Sequence, residues 1–203
     1  MITQFSLLNK DEKKLANMKL YVRYKVSLRC KMIVRDELDK LGIKYSFSPH
    51  GGIEFLEGVT EEDLNTLKRN LWGSGLDLLD IQESKLVDRI ITTIIEVVHY
   101  SDKLPKLTYT EIIAQNLDEA NQSVLKIFSE VMGMSVIQFI VIQKVERIKE
   151  LFLYDDVPLS EMTDILRYKS EQHLIAQFKK VTGLTPSFFK QLKQKRMGNL
   201  EEL

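Results

Sequence analysis

The fold of this chain is decided by residues 157–190, which read VPLSEMTDILRYKSEQHLIAQFKKVTGLTPSFFK. Apolar residues recur there at helical spacing in two short runs, separated by the turn Tyr168-Lys169-Ser170. Ser160 is the predicted N-cap of the first helix and Ser170 that of the second, because serine side chains accept hydrogen bonds from the free amides of a first turn. The stretch predicts a helix-turn-helix unit, whose second helix can lie in a DNA major groove.

The end of the unit is marked as clearly as its start. Gly183 is predicted to end the second helix, because glycine favours the left-handed conformation that follows a helix. Thr185-Pro186 then predicts the start of a third helix, with threonine as N-cap and proline at the first helical position. The apolar positions of the two short helices are Met162, Ile165, Leu166, Leu174, Ile175, Phe178 and Val181.

Two segments of this stretch, LSEMTDILRY and FKKVTGLTPSFF, resemble the second half of an AraC/XylS-type DNA-binding domain. The resemblance implies a bacterial transcription regulator with two helix-turn-helix motifs and double-stranded DNA as its partner. With three scattered histidines and one cysteine, the sequence predicts neither enzymatic activity nor a cofactor.

An internal repeat gives independent support. Shifting residues 86–140 by 50 positions places Phe128 on Phe178 and Gly133 on Gly183, and upstream apolar positions also coincide. Each copy is therefore predicted to contain a long helix followed by a helix-turn-helix, at about 107–133 and 157–183. The long helix 136–153 joins the copies, with Ile140 and Val145 on its apolar face and Lys144, Glu146, Arg147, Lys149 and Glu150 on its exposed side.

The N-terminal third predicts a different, α+β architecture. An alternating strand at 20–26 is followed by a helix at 27–42, capped by Ser27. Two strands then flank the turn 49–52, a helix capped by Thr60 follows, and residues 76–81 form the last strand. The order β-α-β-β-α-β is the ferredoxin-like pattern. A helix predicted at 86–102 begins the all-α part.

This third also resembles the heavy-metal-associated fold of copper chaperones, with Ser27-Leu28-Arg29-Cys30 where that family has C-x-x-C. One thiolate is missing, and a single thiolate is a poor clamp for a soft ion. Cys30 is therefore expected to be a small, partly buried helix residue; a metal or redox site completed by a partner's ligand is the alternative. His50, His99 and His173 are expected to be structural or surface residues rather than catalytic ones.

Composition limits the other classes of function. Lys plus Arg and Asp plus Glu both number 29, so overall charge does not indicate nucleic acid. One cysteine excludes an intramolecular disulfide framework. Phosphate-loop, nucleophile-elbow and H-E-x-x-H motifs are missing from the sequence. Neither a secretory signal nor a transmembrane run is predicted, so we expect a cytoplasmic protein without a membrane partner.

The AraC-type resemblance also implies which side chains contact DNA. In the first unit the matching positions are Gln122, Leu125 and Lys126, and in the second they are Glu171, Gln172 and Ala176. The prediction adds Lys169 and Ser170 in the turn, and Lys179 and Lys180 on the helix, as further DNA contacts. The two units differ in charge: residues 106–133 carry two lysines against four acids, a net −2, whereas residues 165–200 carry eight basic residues against one glutamate, a net +7. Phosphate attraction is therefore predicted to lie mainly in the second unit.

The prediction as a whole is a tail at 1–17, a ferredoxin-like domain at 18–82, a DNA-binding domain at 84–197 and a tail at 198–203. The N-terminal domain is expected to adjust activity by forming a homodimer or by binding a small effector, metal or partner. A protein-interaction or sensor module that keeps the fold but has weak or lost DNA recognition is the alternative. Ala176 and the acidic pair Asp118-Glu119 favour that alternative.

Overall fold

The structure is a computed structural model that describes residues 18–25, 27–102, 104–105, 111, 122–155 and 157–192, without the side chains of Gln122 and Asp155. It separates into two units: Met1–Val87 with Glu130–Gly133, and Asp88–Ser129 with Met134–Leu203. An N-terminal region with small sheets thus precedes a helical region, as predicted. The finer boundaries 18–82 and 84–197 stay predictions.

In its described residues, the first unit has five short strands and two helices, followed by the start of a third helix. In chain order the elements up to that helix are β1 (Lys19–Leu20), β2 (Val22–Arg23), α1 (Leu28–Lys40), β3 (Tyr45–Phe47), β4 (Ile53–Phe55), α2 (Glu61–Gly73), β5 (Asp77–Leu78) and α3 (Ile81–His99). The helical region continues with α4 (Gln122–Met132), α5 (Val136–Glu150), a π-helix (Leu151–Asp155), α6 (Leu159–Ile165), α7 (Glu171–Thr182) and α8 (186–192).

The strands of the first unit pair antiparallel in two small sheets. One sheet has the order β1-β4-β3, with Leu20 opposite Ile53, and the other pairs β2 with β5, with Val22 opposite Leu78. The helices α1 and α2 bury Val34, Leu38, Leu67 and Leu71 in the same core as these strands.

Both helix starts predicted in this unit are confirmed. The Ser27 side chain accepts a hydrogen bond from the Cys30 amide, and the Thr60 side chain accepts one from the Asp63 amide. Each side chain satisfies an amide that has no partner inside the helix.

The prediction of one continuous alternating strand at 20–26 is wrong. The strand breaks at Tyr21, which is fully buried together with both of its neighbours, whereas Tyr24 is 47% exposed. The Tyr21 amide donates to the Ser84 hydroxyl, and the Tyr21 carbonyl accepts from the Leu79 amide. Tyr21 therefore lies in the chain between β1 and β2 and belongs to neither sheet. Tyr24 has φ of 64°, which ends the extended backbone.

The internal repeat is visible in the helical unit as two copies of one aromatic contact. Phe128 packs edge-to-face against Phe139, with centroids 5.6 Å apart and ring planes at 71°. Phe178 packs against Phe189 in the same way, at 5.7 Å and 68°. Edge-to-face packing aligns the positive edge of one ring with the negative face of the other. The predicted equivalence of the two segments therefore holds in three dimensions at these positions.

The helix ends repeat as well. Gly133 and Gly183 both have positive φ, 68° and 77°, as the predicted ends of the second helices. Ser135 caps α5 with a reciprocal capping box to Gln138, and the Thr185 side chain accepts from the Phe188 amide at the start of α8.

Three boundaries differ from the sequence prediction. The helix expected from residue 86 begins at Ile81, where residues up to 81 were expected to be strand, because the Asp80 side chain accepts from the Glu83 amide and starts the helix early. The joining helix ends at Glu150 and continues as a π-helix through Asp155. Pro158, not Ser160, stands at the N-cap of α6, so the serine lies inside the helix.

Within the described residues, no single helix is long and apolar enough to cross a membrane. The segments Ser123–Met132 and Val136–Tyr154 pass that test of length and composition only as a pair bent by 55°. These same segments bury Phe128, Phe139 and Ile140 inside the protein.

We predict that Phe178→Ala destabilises the helical unit by about 3–5 kcal/mol, because it removes a fully buried ring and its edge-to-face partner contact. Phe188→Ala is the matched control, since that ring is 48% exposed, and its effect should stay under about 1 kcal/mol. Urea unfolding followed by circular dichroism measures both. Equal losses for the two variants would contradict the predicted core.

Candidate nucleic-acid interface

The helix α7 is fixed at both ends by local contacts. The Ser170 hydroxyl accepts from the His173 amide at 3.2 Å, as predicted for the N-cap, and Gly183 ends the helix in the left-handed conformation. Leu174 and Phe178 are fully buried on its inner face. With both ends and one face fixed, the outer face of α7 is held in a definite orientation on the helical unit.

The outer face of α7 carries the side chains predicted to contact DNA. Exposed residues on the helix are Glu171, Gln172, His173, Ala176, Lys179, Lys180 and Val181, and Lys169 is exposed in the turn before it. Ser170 is half-buried, and its hydroxyl caps the helix, so its polar group is already engaged. Apart from Ser170, all six residues predicted to contact DNA in 169–180 therefore lie on one exposed segment, together with His173.

The corresponding helix of the first predicted helix-turn-helix, α4, is described in part. Lys126 is exposed and Leu125 is half-buried. Gln122 begins the helix, but its side chain lies outside the described part, as do most of residues 107–121. The first helix and the turn predicted there, including Asp118-Glu119, therefore stay predictions.

The turn between α6 and α7 is held by contacts from two other segments. Arg167 in the turn has φ of 48°, and its side-chain Nε donates to the Leu104 carbonyl. The Leu104 amide in turn donates to the Ile165 carbonyl at 2.9 Å. The third contact comes from α5: the Lys144 Nζ donates to the Leu166 carbonyl at 2.7 Å.

The position of Lys144 corrects the sequence analysis, which expected an exposed residue. Its side chain is buried, with the residue only 8% exposed, and its Nζ lies 4.8 Å from the centroid of the Tyr168 ring. The carbonyl and the aromatic face both stabilise a cation that is largely removed from water. A signal for this burial was available, because the 50-residue shift places Lys144 on Ile94, which is also buried.

His173 was not among the residues predicted to contact DNA, but it is exposed on the first turn of α7, next to Gln172. Its ring packs edge-to-face against Tyr168, with centroids 5.5 Å apart. Its position on the same face of α7 as Ala176 could have been inferred from their spacing of three residues.

His99 has the structural role that was expected. Its Nδ1 lies 3.1 Å from Glu150 Oε2 and its Nε2 lies 3.1 Å from Gln143 Oε1, so the imidazole joins α3 to α5. Gln143 is itself buried, and its amide oxygen accepts a hydrogen bond from the Nε2–H of the imidazole.

Cys30 is half-buried on α1 and packs against the core of the first unit. Its sulfur lies 3.3 Å from the Ser27 hydroxyl. Among the described residues, no three His, Cys, Asp or Glu side chains are grouped so that they could hold a metal ion.

Comparison with known proteins gives the class of domain. Residues 113–192 match the family model described as a helix-turn-helix domain. This part of the chain is therefore similar to helix-turn-helix domains.

One curated relative and two solved structures were also found. The uncharacterized HTH-type transcriptional regulator YtdP of Bacillus subtilis (strain 168) is 26% identical over 134 residues, which are 66% of this chain and 17% of that protein. The chain thus spans about a sixth of the relative's length. The C-terminal domain of AraT, a response regulator from Geobacillus stearothermophilus, is 22% identical, with a TM-score of 0.46, over 54% of this chain and 86% of that one. The DNA-binding domain of the global transcriptional factor AdpA, solved in complex with a target DNA, is 15% identical, with a TM-score of 0.46, over 54% of this chain and 94% of that one.

The buried lysine predicts a pH dependence of stability. Burial lowers the pKa of Lys144 from its usual 10.5 to about 8. Between these values the unfolded chain binds more protons at this site than the folded chain, so the free energy of unfolding rises with pH across that window. Below pH 8 both states are protonated, and the cost of burying the charge is fully present.

We therefore expect the stability of the wild type relative to Lys144→Met to increase between pH 8 and 10, by on the order of 1–3 kcal/mol. Urea unfolding of both proteins at each pH measures the difference. Lys180→Met, at an exposed lysine of α7, is the control and should show a nearly constant difference from the wild type. A constant difference for Lys144→Met would contradict the predicted titration.

Proposed function

We propose that this chain is a sequence-specific DNA-binding transcription regulator of the AraC type, with α4 and α7 as the helices that enter the major groove. The observation that carries the proposal is the outer face of α7, where hydrogen-bonding and basic side chains are exposed on a helix fixed at both ends. A rigid helix with such a face can hold its side chains at the spacing of base edges.

Each side chain of α7 has a chemically defined task in this proposal. Gln172 pairs bidentately with adenine, and Glu171 accepts from the amino group of cytosine. Ala176 contacts a thymine methyl group, because a methyl side chain cannot form hydrogen bonds. Lys169, Lys179 and Lys180 contact phosphates, whose attraction supplies much of the affinity but little of the sequence preference.

The first helix-turn-helix, at about 107–133, contributes less in this proposal. Lys126 on α4 can donate to guanine acceptors, with Gln122 and Leu125 beside it in the chain. Its surrounding residues 106–133 carry a net charge of −2, which weakens attraction to phosphate. We therefore assign most phosphate contacts to the second helix-turn-helix. The first would fix the position of the protein along the DNA and add some discrimination between bases.

We further propose that residues 18–82 form a ferredoxin-like domain related to the heavy-metal-associated fold, followed by the DNA-binding domain at 84–197. With β1 and β2 counted as one strand broken at Tyr21, the elements follow the order β-α-β-β-α-β, and the pairing of β1 with β4 and of β2 with β5 also supports this assignment. Such a domain would modulate DNA binding by forming a homodimer or by binding a small effector, in a cytoplasmic protein.

The proposal is tested by selecting binding sites from randomised duplex DNA at moderate salt. We expect a consensus site to emerge, and Gln172→Ala to weaken binding to it by about tenfold or more while leaving non-specific affinity unchanged. Lys179→Ala should weaken specific and non-specific binding alike and reduce the salt slope by about one phosphate contact.

Gln82→Ala, at an exposed glutamine of α3, is the matched control and should leave both affinities unchanged. A selection that gives no consensus at any salt concentration would refute sequence-specific regulation.

The second candidate is a protein-interaction or sensor module that keeps the fold with weak or lost DNA recognition. The observation that favours it is Ala176, because a methyl group on the exposed face of α7 offers no hydrogen bond to a base. Unchanged DNA affinity in the double variant Lys126→Ala with Gln172→Ala would support this candidate over base recognition by α4 and α7.

A further inference from the structure

Lys144 contacts both sides of the turn that leads into α7. Its Nζ donates to the carbonyl of Leu166, which is the C-cap residue of α6, at 2.7 Å. The same Nζ lies 4.8 Å from the centroid of the Tyr168 ring, two residues further along the turn. A single ammonium group from the joining helix thus touches the end of one helix and the lead-in to the next.

The contact continues from the turn to the exposed face of α7. The Tyr168 ring, buried between these groups, packs edge-to-face on the imidazole of His173 at 5.5 Å. The backbone between them is fixed as well, because the Ser170 hydroxyl accepts from the His173 amide. A path of direct contacts therefore leads from Lys144 through Tyr168 to His173.

We propose that Lys144 is a positioning residue for DNA recognition, which fixes the turn 166–170 and, through Tyr168, the orientation of His173 on α7. This inference rests on the proposed function, because it assigns Lys144 a role in the presentation of α7 to DNA. It adds His173 to the residues that contact bases, with its imidazole N–H donating to a purine N7 or a guanine O6 in the major groove.

The chemistry of the position argues against simple packing. Burying an ammonium group costs free energy, and an apolar side chain of similar length avoids that cost. The first copy of the repeat shows the apolar solution, since Ile94 is buried at the equivalent position. What the lysine adds is a directional hydrogen bond to one carbonyl and an attraction to one ring, and both fix geometry rather than volume.

The first experiment compares Lys144→Met with Lys144→Arg in the full chain, on the selected DNA site and on a non-specific duplex. We expect methionine to weaken specific binding by about tenfold and to leave non-specific binding unchanged, because the phosphate-contacting lysines stay in place. Arginine keeps the charge and the donors, so its specific affinity should lie within about threefold of the wild type. Equal losses on both duplexes, unchanged specific affinity in folded Lys144→Met, or an arginine variant that behaves like methionine would each overturn the proposal.

A double-variant cycle tests the route through His173. If Lys144 acts through that imidazole, the combined loss in Lys144→Met with His173→Ala should be at least about threefold smaller than the product of the two single losses. Losses that simply multiply would refute the route. Tyr168→Leu keeps Lys144 but removes the ring between it and His173, and it serves as the second variant if Lys144→Met does not fold; unchanged specific affinity in Tyr168→Leu would also overturn the proposal.

Hydrogen exchange separates this inference from the proposed function. In the absence of DNA, Lys144→Met should accelerate amide exchange in residues 166–173 and leave the amides of α1 unchanged. If the wild type selects no DNA consensus but this local acceleration is observed, the proposed function fails while the positioning of the turn stands. If exchange at 166–173 is unchanged in Lys144→Met, the positioning role is refuted whatever DNA the wild type binds.

Discussion

The second helix-turn-helix depends on one buried cation. The turn between α6 and α7 contains a residue with positive φ, Arg167, and follows the last carbonyls of α6. A carbonyl at a helix end needs a donor, and here the donor to Leu166 is the ammonium group of Lys144. The contacts that we propose between α7 and DNA depend on how this turn is held.

The two copies of the repeat share their packing but not their polar contacts. The pairs Phe128–Phe139 and Phe178–Phe189 have nearly the same separation and angle, so the apolar frame of the two copies is alike at these rings. Ile94 and Lys144 occupy equivalent positions and are both buried, yet only the lysine can donate a hydrogen bond. The copies therefore differ in the hydrogen bond that Lys144 donates to the turn before α7, and in net charge, which is −2 for residues 106–133 and +7 for residues 165–200.

Much of this architecture could be predicted from the sequence, because its determinants are local. Ser27, Thr60, Ser135 and Ser170 are caps that act within three residues, and Gly183 adopts the conformation that glycine favours after a helix. The exposure of Gln172, Ala176 and Lys179 follows from helical periodicity around the buried Leu174 and Phe178.

What could not be predicted depends on partners distant in the sequence. Local alternation predicted Tyr24 in a strand, but burial of Tyr21 between Leu79 and Ser84 breaks the strand before it. Charge patterning placed Lys144 on an exposed face, because an isolated helix gives no sign that a carbonyl 22 residues later needs a donor. The sequence feature that indicated burial of Lys144 is the 50-residue repeat, which aligns this lysine with the apolar Ile94.

The contacts of Leu104 limit how far the helical unit can be divided. This residue precedes the segment predicted as the first helix-turn-helix, yet its carbonyl accepts from Arg167 and its amide donates to Ile165 in the second. A duplicated motif is often pictured as two interchangeable modules. Here Leu104, which precedes the first predicted module, supplies backbone partners to Ile165 and Arg167 of the second. A fragment that begins after Leu104 would therefore lack both of these hydrogen bonds.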